Sequence, residues 1–236
     1  MHKLLLSLLL LPILSLAQLL PETRFEKSKG NETETYQEII EWWKKADAVS
    51  SYISMKEMGP TDAGYSLHLV LVSTDKDFNI SSIKKKNKTI IFINNGIHPG
   101  EPDGIDATML LVKEINRLPK LLPSNVVLAI IPVYNIGGTL NRSSNYRVDQ
   151  NGPEEFGFRG NSQNLDLNRD FIKCDSKEAI TFTKIFHYLD PDVFIDNHVS
   201  DGADYQHVMT LLTSQHNKLG GEAGKFLNQQ FEPAMY

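Results

Sequence analysis

An apolar run, Thr89-Ile-Ile-Phe-Ile-Asn94, passes almost at once into a Pro-Gly turn, His98-Pro-Gly-Glu101, and then into a stretch with apolar residues at helical spacing. Met109, Leu110, Val112 and Ile115 form that spacing and predict a helix from Asp106 to Leu118. A buried strand, a sharp turn and an amphipathic helix in sequence form one half of a strand–helix–strand unit. The pattern recurs: Asn125 to Val133 reads as a strand, Ser176 to Leu189 as a helix capped by Asp175 or Ser176, and Val193 to Asn197 as a further strand. Strands that alternate with helices bury both faces of a sheet. The fold class expected is α/β, a three-layer α/β/α arrangement with a mixed, mostly parallel central sheet.

The remaining elements fit that frame. Thr35 to Ala48 carries Ile39, Ile40, Trp43 and Ala46 at helical spacing, with Trp42 and Trp43 read as packing residues. Tyr65 to Val72 and His207 to Thr213 read as strands, and Leu219 to Phe231 as a helix. The basic run Lys84-Lys-Lys86 reads as a solvated turn. Residues 134–164 form a long segment rich in Gly, Asn and Ser, and loops of that length are usually functional or disordered. No internal repeat or long low-complexity linker is visible.

With 236 residues, 41% hydrophobic and 22% charged, the chain is long enough for one globular domain with a sizeable core. A net charge of -5 argues against a nucleic-acid partner. Residues 1–17 read as a secretory signal: Lys3 opens it, Leu4 to Leu14 is apolar, and Ser15-Leu-Ala17 offers a cut after Ala17. The apolar stretch is short for a membrane span, so the expectation is a secreted or periplasmic chain with no stable membrane anchor after cleavage. Residues 18–32 are expected to be a mobile leader, and residues 33–236 one folded domain. A single cysteine, Cys174, provides no internal disulfide framework and reads as a small buried residue. Sequons begin at Asn31, Asn79, Asn87 and Asn141.

The chemistry gathers in three places. His98 and Glu101 lie in a turn after a strand, where both can reach one ion, and His198 ends another apolar run, Asp192-Val-Phe-Ile-Asp-Asn-His198. Two imidazoles and a carboxylate leave a fourth position on Zn²⁺ open, which is how catalytic zinc sites are built. Ligands in open α/β sheets gather beyond the carboxyl ends of strands, where both histidines fall. Co²⁺ or Mn²⁺ would fit the same ligands. Asn168 and Arg169 side by side could grip a carboxylate, since Arg offers a planar fork matched to two oxygens. Arg159 is a second cation that could stabilise a developing oxyanion.

In this order, His98-x-x-Glu101, Arg159, Asp166-Leu-Asn168-Arg169 and His198 resemble the zinc metallocarboxypeptidase family, the relatives of pancreatic carboxypeptidase. The short gap between Arg159 and Asn168 is closer to the cytosolic carboxypeptidase branch. The resemblance runs from about Tyr36 to the end of the chain. It implies one zinc ion on His98, Glu101 and His198, and Asp166 as the carboxylate that hydrogen-bonds the first zinc histidine. It implies that Asn168 and Arg169 hold the C-terminal carboxylate of a peptide or peptide-like substrate, and that Arg159 stabilises the oxyanion. Asp103, Asp106, Asp196 and Asp201 are read as helix-start or loop carboxylates with no metal role.

The family's general-base Glu lies well downstream of the second histidine, on a late strand. Here Glu222 falls in an expected helix and Glu232 just past it, so neither matches. The resemblance thus implies that residues 33–236 are a truncated carboxypeptidase catalytic domain, its C-terminal part missing and its sheet incomplete at the C-terminal end, that binds zinc and hydrolyses peptides weakly or not at all. Two other readings stay open. One is a zinc amidohydrolase acting on peptidoglycan peptides or acyl amino acids. The other is a non-catalytic zinc-binding pseudoenzyme that recognises C-terminal carboxylates. The residue preference at the substrate's C-terminus is not legible.

Overall fold

The computed structural model describes residues 19–200, 203, 205–207 and 209–235. The signal sequence, its cut after Ala17, and Asp201 lie outside these residues. The chain divides into two compact units, Met1–Val199 and Ser200–Tyr236.

In the first unit the elements run α1 (Arg24–Lys27), α2 (Tyr36–Val49), β1 (Ile53–Pro60), β2 (Ser66–Val72), α3 (Ile80–Lys85), β3 (Thr89–Asn94), α4 (Asp103–Arg117), β4 (Val126–Ile131), α5 (Ile136–Leu140), β5 (Arg142–Ser143), β6 (Phe156–Gly157), α6 (Lys177–Leu189) and β7 (Val193–Asp196). The main sheet has the order β1-β2-β4-β3-β7. Strands β1–β2 and β2–β4 pair antiparallel, and β4–β3 and β3–β7 pair parallel, so the sheet is mixed.

Period-two alternation builds the layers, because successive strand side chains point to opposite faces. Leu67, Leu69 and Leu71 of β2, Ile90 and Phe92 of β3, and Val127, Ala129 and Ile131 of β4 share one core with Ile83 of α3 and Phe182, Ile185 and Leu189 of α6. Their neighbours Val70, Val72, Ile93, Leu128 and Ile130 face the other way, against Ile39, Trp43 and Ala46 of α2 and Met109, Val112 and Ile115 of α4. The helix pairs α2/α4 and α3/α6 therefore cover opposite faces. Trp42 and Trp43 meet edge-on at 4.9 Å, and Trp42 Nε1 donates to the carbonyl of Pro21 at 2.9 Å, which is packing rather than ligand binding.

Several elements differ from the sequence reading. Strand β1 was not anticipated: Ile53-Ser-Met-Lys-Glu-Met-Gly-Pro60 mixes polar and apolar residues because it is an edge strand with a register shift between Glu57 and Gly59. Lys84 and Lys85 close helix α3 instead of lying in a turn; Asn79 caps that helix by accepting from the Ser82 N–H at 3.0 Å. Residues 19–32 are not a loose leader. Leu20 is buried, Thr23 and Glu26 form a capping box on α1, and Glu26 accepts from Lys113 of α4 at 2.6 Å. Cys174 is half-buried in a left-handed turn (φ 54) held by Asp170, not a core residue. The long segment after β4 carries α5 and the ribbon β5–β6, which are too short to show a period.

In the second unit, α7 (His216–Leu219), α8 (Gly221–Phe226), a π-helical turn (Leu227–Phe231) and α9 (Glu232–Met235) follow one another. The described residues among 207–213 form no strand; Met209 and Leu212 are exposed there. Glu222 pairs with Lys225 within α8, and Glu232 accepts from Thr213 Oγ1. No helix among the described residues is long and apolar enough to cross a membrane.

The N-terminal segment is tied to α4 by a buried carboxyl pair. Asp106 accepts from Thr33 Oγ1 at 3.1 Å and hydrogen-bonds Glu34, and both acids are buried. Burial, then the Glu34 carboxyl, pushes the Asp106 carboxyl up to about 9. The raised folded value means that the native state holds a proton the unfolded chain has released, so stability from this group declines as pH rises from the ordinary carboxylate range towards about 9. Asp106→Asn keeps a donor for Glu34 and an acceptor for Thr33 without the proton. Thermal unfolding across pH 5 to 9 should show the variant's melting temperature gaining on the wild type as pH rises; parallel curves would show that Asp106 is ionised in the fold.

Candidate metal centre

The site forms where β3 and β7 end side by side. Parallel pairing sets Asn94 opposite Asp196, and Asn94 Nδ2 donates to Asp196 Oδ1 at 2.9 Å. One residue further, Asn197 Nδ2 donates to Asn95 Oδ1 at 2.7 Å. Helix α4 begins against these strand ends, and only glycine fits at its second position: a Cβ on Gly104 would lie 2.5 Å from Asn197 Cβ. Edge strand β7 is held from the side by Phe194, whose ring packs 5.4 Å from Phe92 and 5.7 Å from Phe182.

After β3, the Glu101 N–H donates to the His98 carbonyl at 2.9 Å and closes the turn. This folding of the chain is why a His and a Glu three residues apart face one point. His98 Nδ1 lies 3.0 Å from Glu101 Oε1, and His198 Nδ1 lies 2.9 Å from Oε2. The donor atoms of His98, Glu101 and His198 all fall within 4.8 Å of one another. His98 and Glu101 are buried, while His198 lies at the surface of the site.

The opposite ring nitrogens are also engaged. His98 Nε2 is 3.0 Å from Asp166 Oδ1, and His198 Nε2 is 3.0 Å from Asp196 Oδ2. Once a metal takes the Nδ1 side, a carboxylate at each Nε2 would hold the ring proton there and free Nδ1 as the lone-pair atom, the arrangement that orients metal-binding imidazoles. The residues therefore fit one small divalent cation with two nitrogen donors and one carboxylate.

Electrostatics agree with the geometry. Burial pushes the Glu101 carboxyl up, but hydrogen bonds from His198, His98, Arg147 and the Val199 N–H outweigh it and hold the group well below the usual carboxylate range. Hydrogen bonding to Asp196 and then to Glu101 raises the His198 imidazole to about 10, so the metal-free site keeps it protonated. Burial likewise opposes ionisation of Asp166, and contacts with His98 and Arg159 overcome it.

Arg159 Nε donates to Asp166 Oδ2 at 3.0 Å, while its Nη nitrogens make no hydrogen bond among the described residues. Asp166 also caps a 3-10 turn, Leu167–Arg169, by accepting from the Asn168 N–H at 3.0 Å. One carboxylate thus ties together His98, Arg159 and the Asn168-Arg169 turn. Arg169 is exposed, and its described hydrogen bond runs from Nη1 to the Asn168 carbonyl at 2.9 Å. Asn168 is half-buried beside it. His98, Glu101, Asp166, Arg159 and His198 form one connected network, with Asn168 and Arg169 at its rim.

Sequence reasoning missed two groups. Asp196, read as a carboxylate without a metal role, lies on β7 and binds a candidate metal histidine; standing two residues before His198, it was findable from strand alternation. Arg147, whose Nη2 donates to Glu101 Oε1 at 2.6 Å, comes from the segment between β5 and β6, where no local pattern marks it. Asp103 opens α4 and Asp106 lies in its first turn, both as expected for helix-start acids.

Zinc binding should displace the His198 proton, so metal uptake at pH 8 should release at least one proton. Calorimetry in buffers of different ionisation enthalpy measures this, and zero release would contradict the assignment. Asp166→Asn and Asp196→Asn should each weaken zinc binding by about 10–100-fold in chelator competition.

The family model for zinc carboxypeptidases matches residues 39–208. No curated protein matches the chain. Among solved structures, the chain is similar to a metallo-carboxypeptidase from Burkholderia cenocepacia, with 20% identity, a TM-score of 0.54, and coverage of 75% of this chain and 45% of that one. It is similar to a metallo-carboxypeptidase from Pseudomonas aeruginosa, with 17% identity, a TM-score of 0.50, and coverage of 78% and 41%. Bovine thrombin-activatable fibrinolysis inhibitor is also similar, with 15% identity, a TM-score of 0.52, and coverage of 71% and 61%. At these identities the likeness shows a shared fold, and the chain spans less than two thirds of each structure's length. The family model spans most of the chain, which belongs to the zinc carboxypeptidase family.

Proposed function

We propose that the chain carries the metal site of a zinc-dependent metallocarboxypeptidase that hydrolyses C-terminal peptide bonds, with His98, Glu101 and His198 as its metal ligands. The observation that carries this reading is the pairing of both Nδ1 atoms with Glu101 while both Nε2 atoms rest on carboxylates. The chemistry supplied by a bound zinc ion is Lewis acidity, which polarises a carbonyl and acidifies water.

The protein's own groups bind and orient the substrate. Arg169, exposed at the rim, offers its guanidinium fork to a terminal carboxylate, and the Asn168 amide beside it adds a neutral donor. Arg159 is held through Nε by Asp166, which turns its free Nη groups to donate to an oxyanion near His98. Asp166 fixes both that cation and His98, so the oxyanion donor and the metal ligand share one support. Export of the chain belongs to the same proposal and is supported by the charged start, apolar stretch and small-residue cut of residues 1–17.

The test compares a short peptide with its C-terminal amide on the zinc-loaded chain, reading binding by calorimetry and release of the last residue by mass spectrometry. A charge-assisted bidentate contact is worth about 1.5–3 kcal/mol, so the free acid should bind about 10–100-fold tighter. Arg169→Ala should erase that difference, and any release should stop with chelator. Equal binding of acid and amide would overturn the carboxylate-recognition reading. Turnover of an acyl amino acid or a peptidoglycan peptide in preference to the free peptide would move the assignment to an amidohydrolase.

A further inference from the structure

We infer that Arg147 is a positioning residue of the metal site, holding Glu101 as Asp166 holds His98 and Asp196 holds His198. The inference rests on the zinc reading proposed above. Its Nη2 donates to Glu101 Oε1 at 2.6 Å, and the side chain is only 12% exposed. Oε2 of the same carboxylate accepts from the Val199 N–H at 3.1 Å. Each Glu101 oxygen therefore has one donor on its outer side and one imidazole Nδ1 on its inner side. All three candidate ligands then have an outer partner, and the Glu101 partner is a cation where the histidine partners are anions.

The chain is built to deliver this guanidinium. Arg147 passes directly over Gly100, where a Cβ would lie 2.9 Å from Arg147 Nε and 3.0 Å from the Gly157 carbonyl, so the glycine in His98-Pro-Gly-Glu101 leaves its path open. On one side of it, Tyr146 donates its hydroxyl to Asn141 Oδ1 at 2.5 Å and packs its ring 5.1 Å from that of Phe158. On the other, Gln150 Nε2 donates to the Gly100 carbonyl at 2.9 Å and to the Gly152 carbonyl at 2.9 Å. A residue anchored on both flanks and aimed at a buried carboxylate is preorganised for it. Its charge opposes an incoming dication, but Glu101, Asp166 and Asp196 surround the site and screen that repulsion, so the loss of orientation dominates when the side chain is removed.

The experiment measures zinc affinity by chelator competition, the visible absorption of the Co²⁺ form, and the melting temperature of the metal-free protein, for the wild type, Arg147→Ala, Arg147→Lys and His198→Ala. Arg147→Ala should lose about 10–100-fold in zinc affinity and shift the Co²⁺ spectrum. Its metal-free melting temperature should fall, because a buried ion pair is broken, so zinc binding is read well below that transition. Arg147→Lys, which keeps a donor and the charge, should recover part of the affinity. Unchanged or tighter zinc binding in Arg147→Ala with an unchanged Co²⁺ spectrum overturns the inference, as does a folded Arg147→Lys with no recovery. If the wild type fails to bind zinc, or His198→Ala binds it equally well, the zinc reading itself fails and this inference falls with it. A loss in His198→Ala with none in Arg147→Ala overturns the role of Arg147 alone.

Discussion

A single buried carboxylate organises the site. Glu101 is 2% exposed and would be costly to ionise alone, yet it is ionised because two imidazoles, a guanidinium and a backbone N–H converge on it. Those four donors come from three places: the turn after β3, the segment between β5 and β6, and the stretch beyond β7 that supplies the side chain of His198 and the backbone of Val199. The same convergence that makes the carboxylate affordable gathers two nitrogen donors around two oxygens. Removal of Glu101 would leave the imidazoles and the guanidinium facing one another with no common acceptor.

Sheet topology makes that convergence possible. Strands β3 and β7 run parallel, so both end at the same edge, and each releases a histidine within four residues of its last paired position. Register is pinned by polar pairs, Asn94 with Asp196 and Asn95 with Asn197, which have no reason to be apolar because they sit at the mouth of the sheet. A slip of one residue would move Asp196 away from Asn94 and Asn197 away from Asn95 and break both hydrogen bonds at once. Aromatic packing of Phe194 on Phe92 and Phe182 resists that slip, and Phe92 is fully buried, an interaction worth roughly 1.5–3 kcal/mol for a side chain of that size.

What was legible in the sequence follows from the same physics. Strands β2, β3 and β4 lie inside the sheet and must be apolar, so Leu67 to Val72, Ile90 to Ile93 and Val127 to Ile131 announced themselves. Helices α2, α4 and α6 each bury one face and so carry a period. Strand β1 bonds on one edge alone, and its register shift breaks the alternation, so Met55 and Met58 gave no readable pattern. His98 and Glu101 were legible because one tight turn brings them together. Their outer partners were less so: Asp166 became visible only beside Asn168 and Arg169, and Arg147 reaches Glu101 across 46 residues of chain, a separation that no local pattern records.

Charge balance explains why the outer partners differ in sign. Among the described residues, Glu101 faces the guanidinium of Arg147, Asp166 faces that of Arg159, and His198, which keeps its proton in the metal-free site, lies between Asp196 and Glu101. On the proposed reading, a dication takes the place of that proton and makes the neighbourhood of the exposed Arg169 more positive. An anionic chain end is drawn to such a surface more strongly than to the metal-free form, because interactions at partly buried positions are weakly screened. If all three ligands had acidic partners, the bound metal would be over-neutralised and that attraction lost. The guanidinium on Glu101 offsets one of the site's carboxylates, so more of a bound metal's charge is left to act on that chain end.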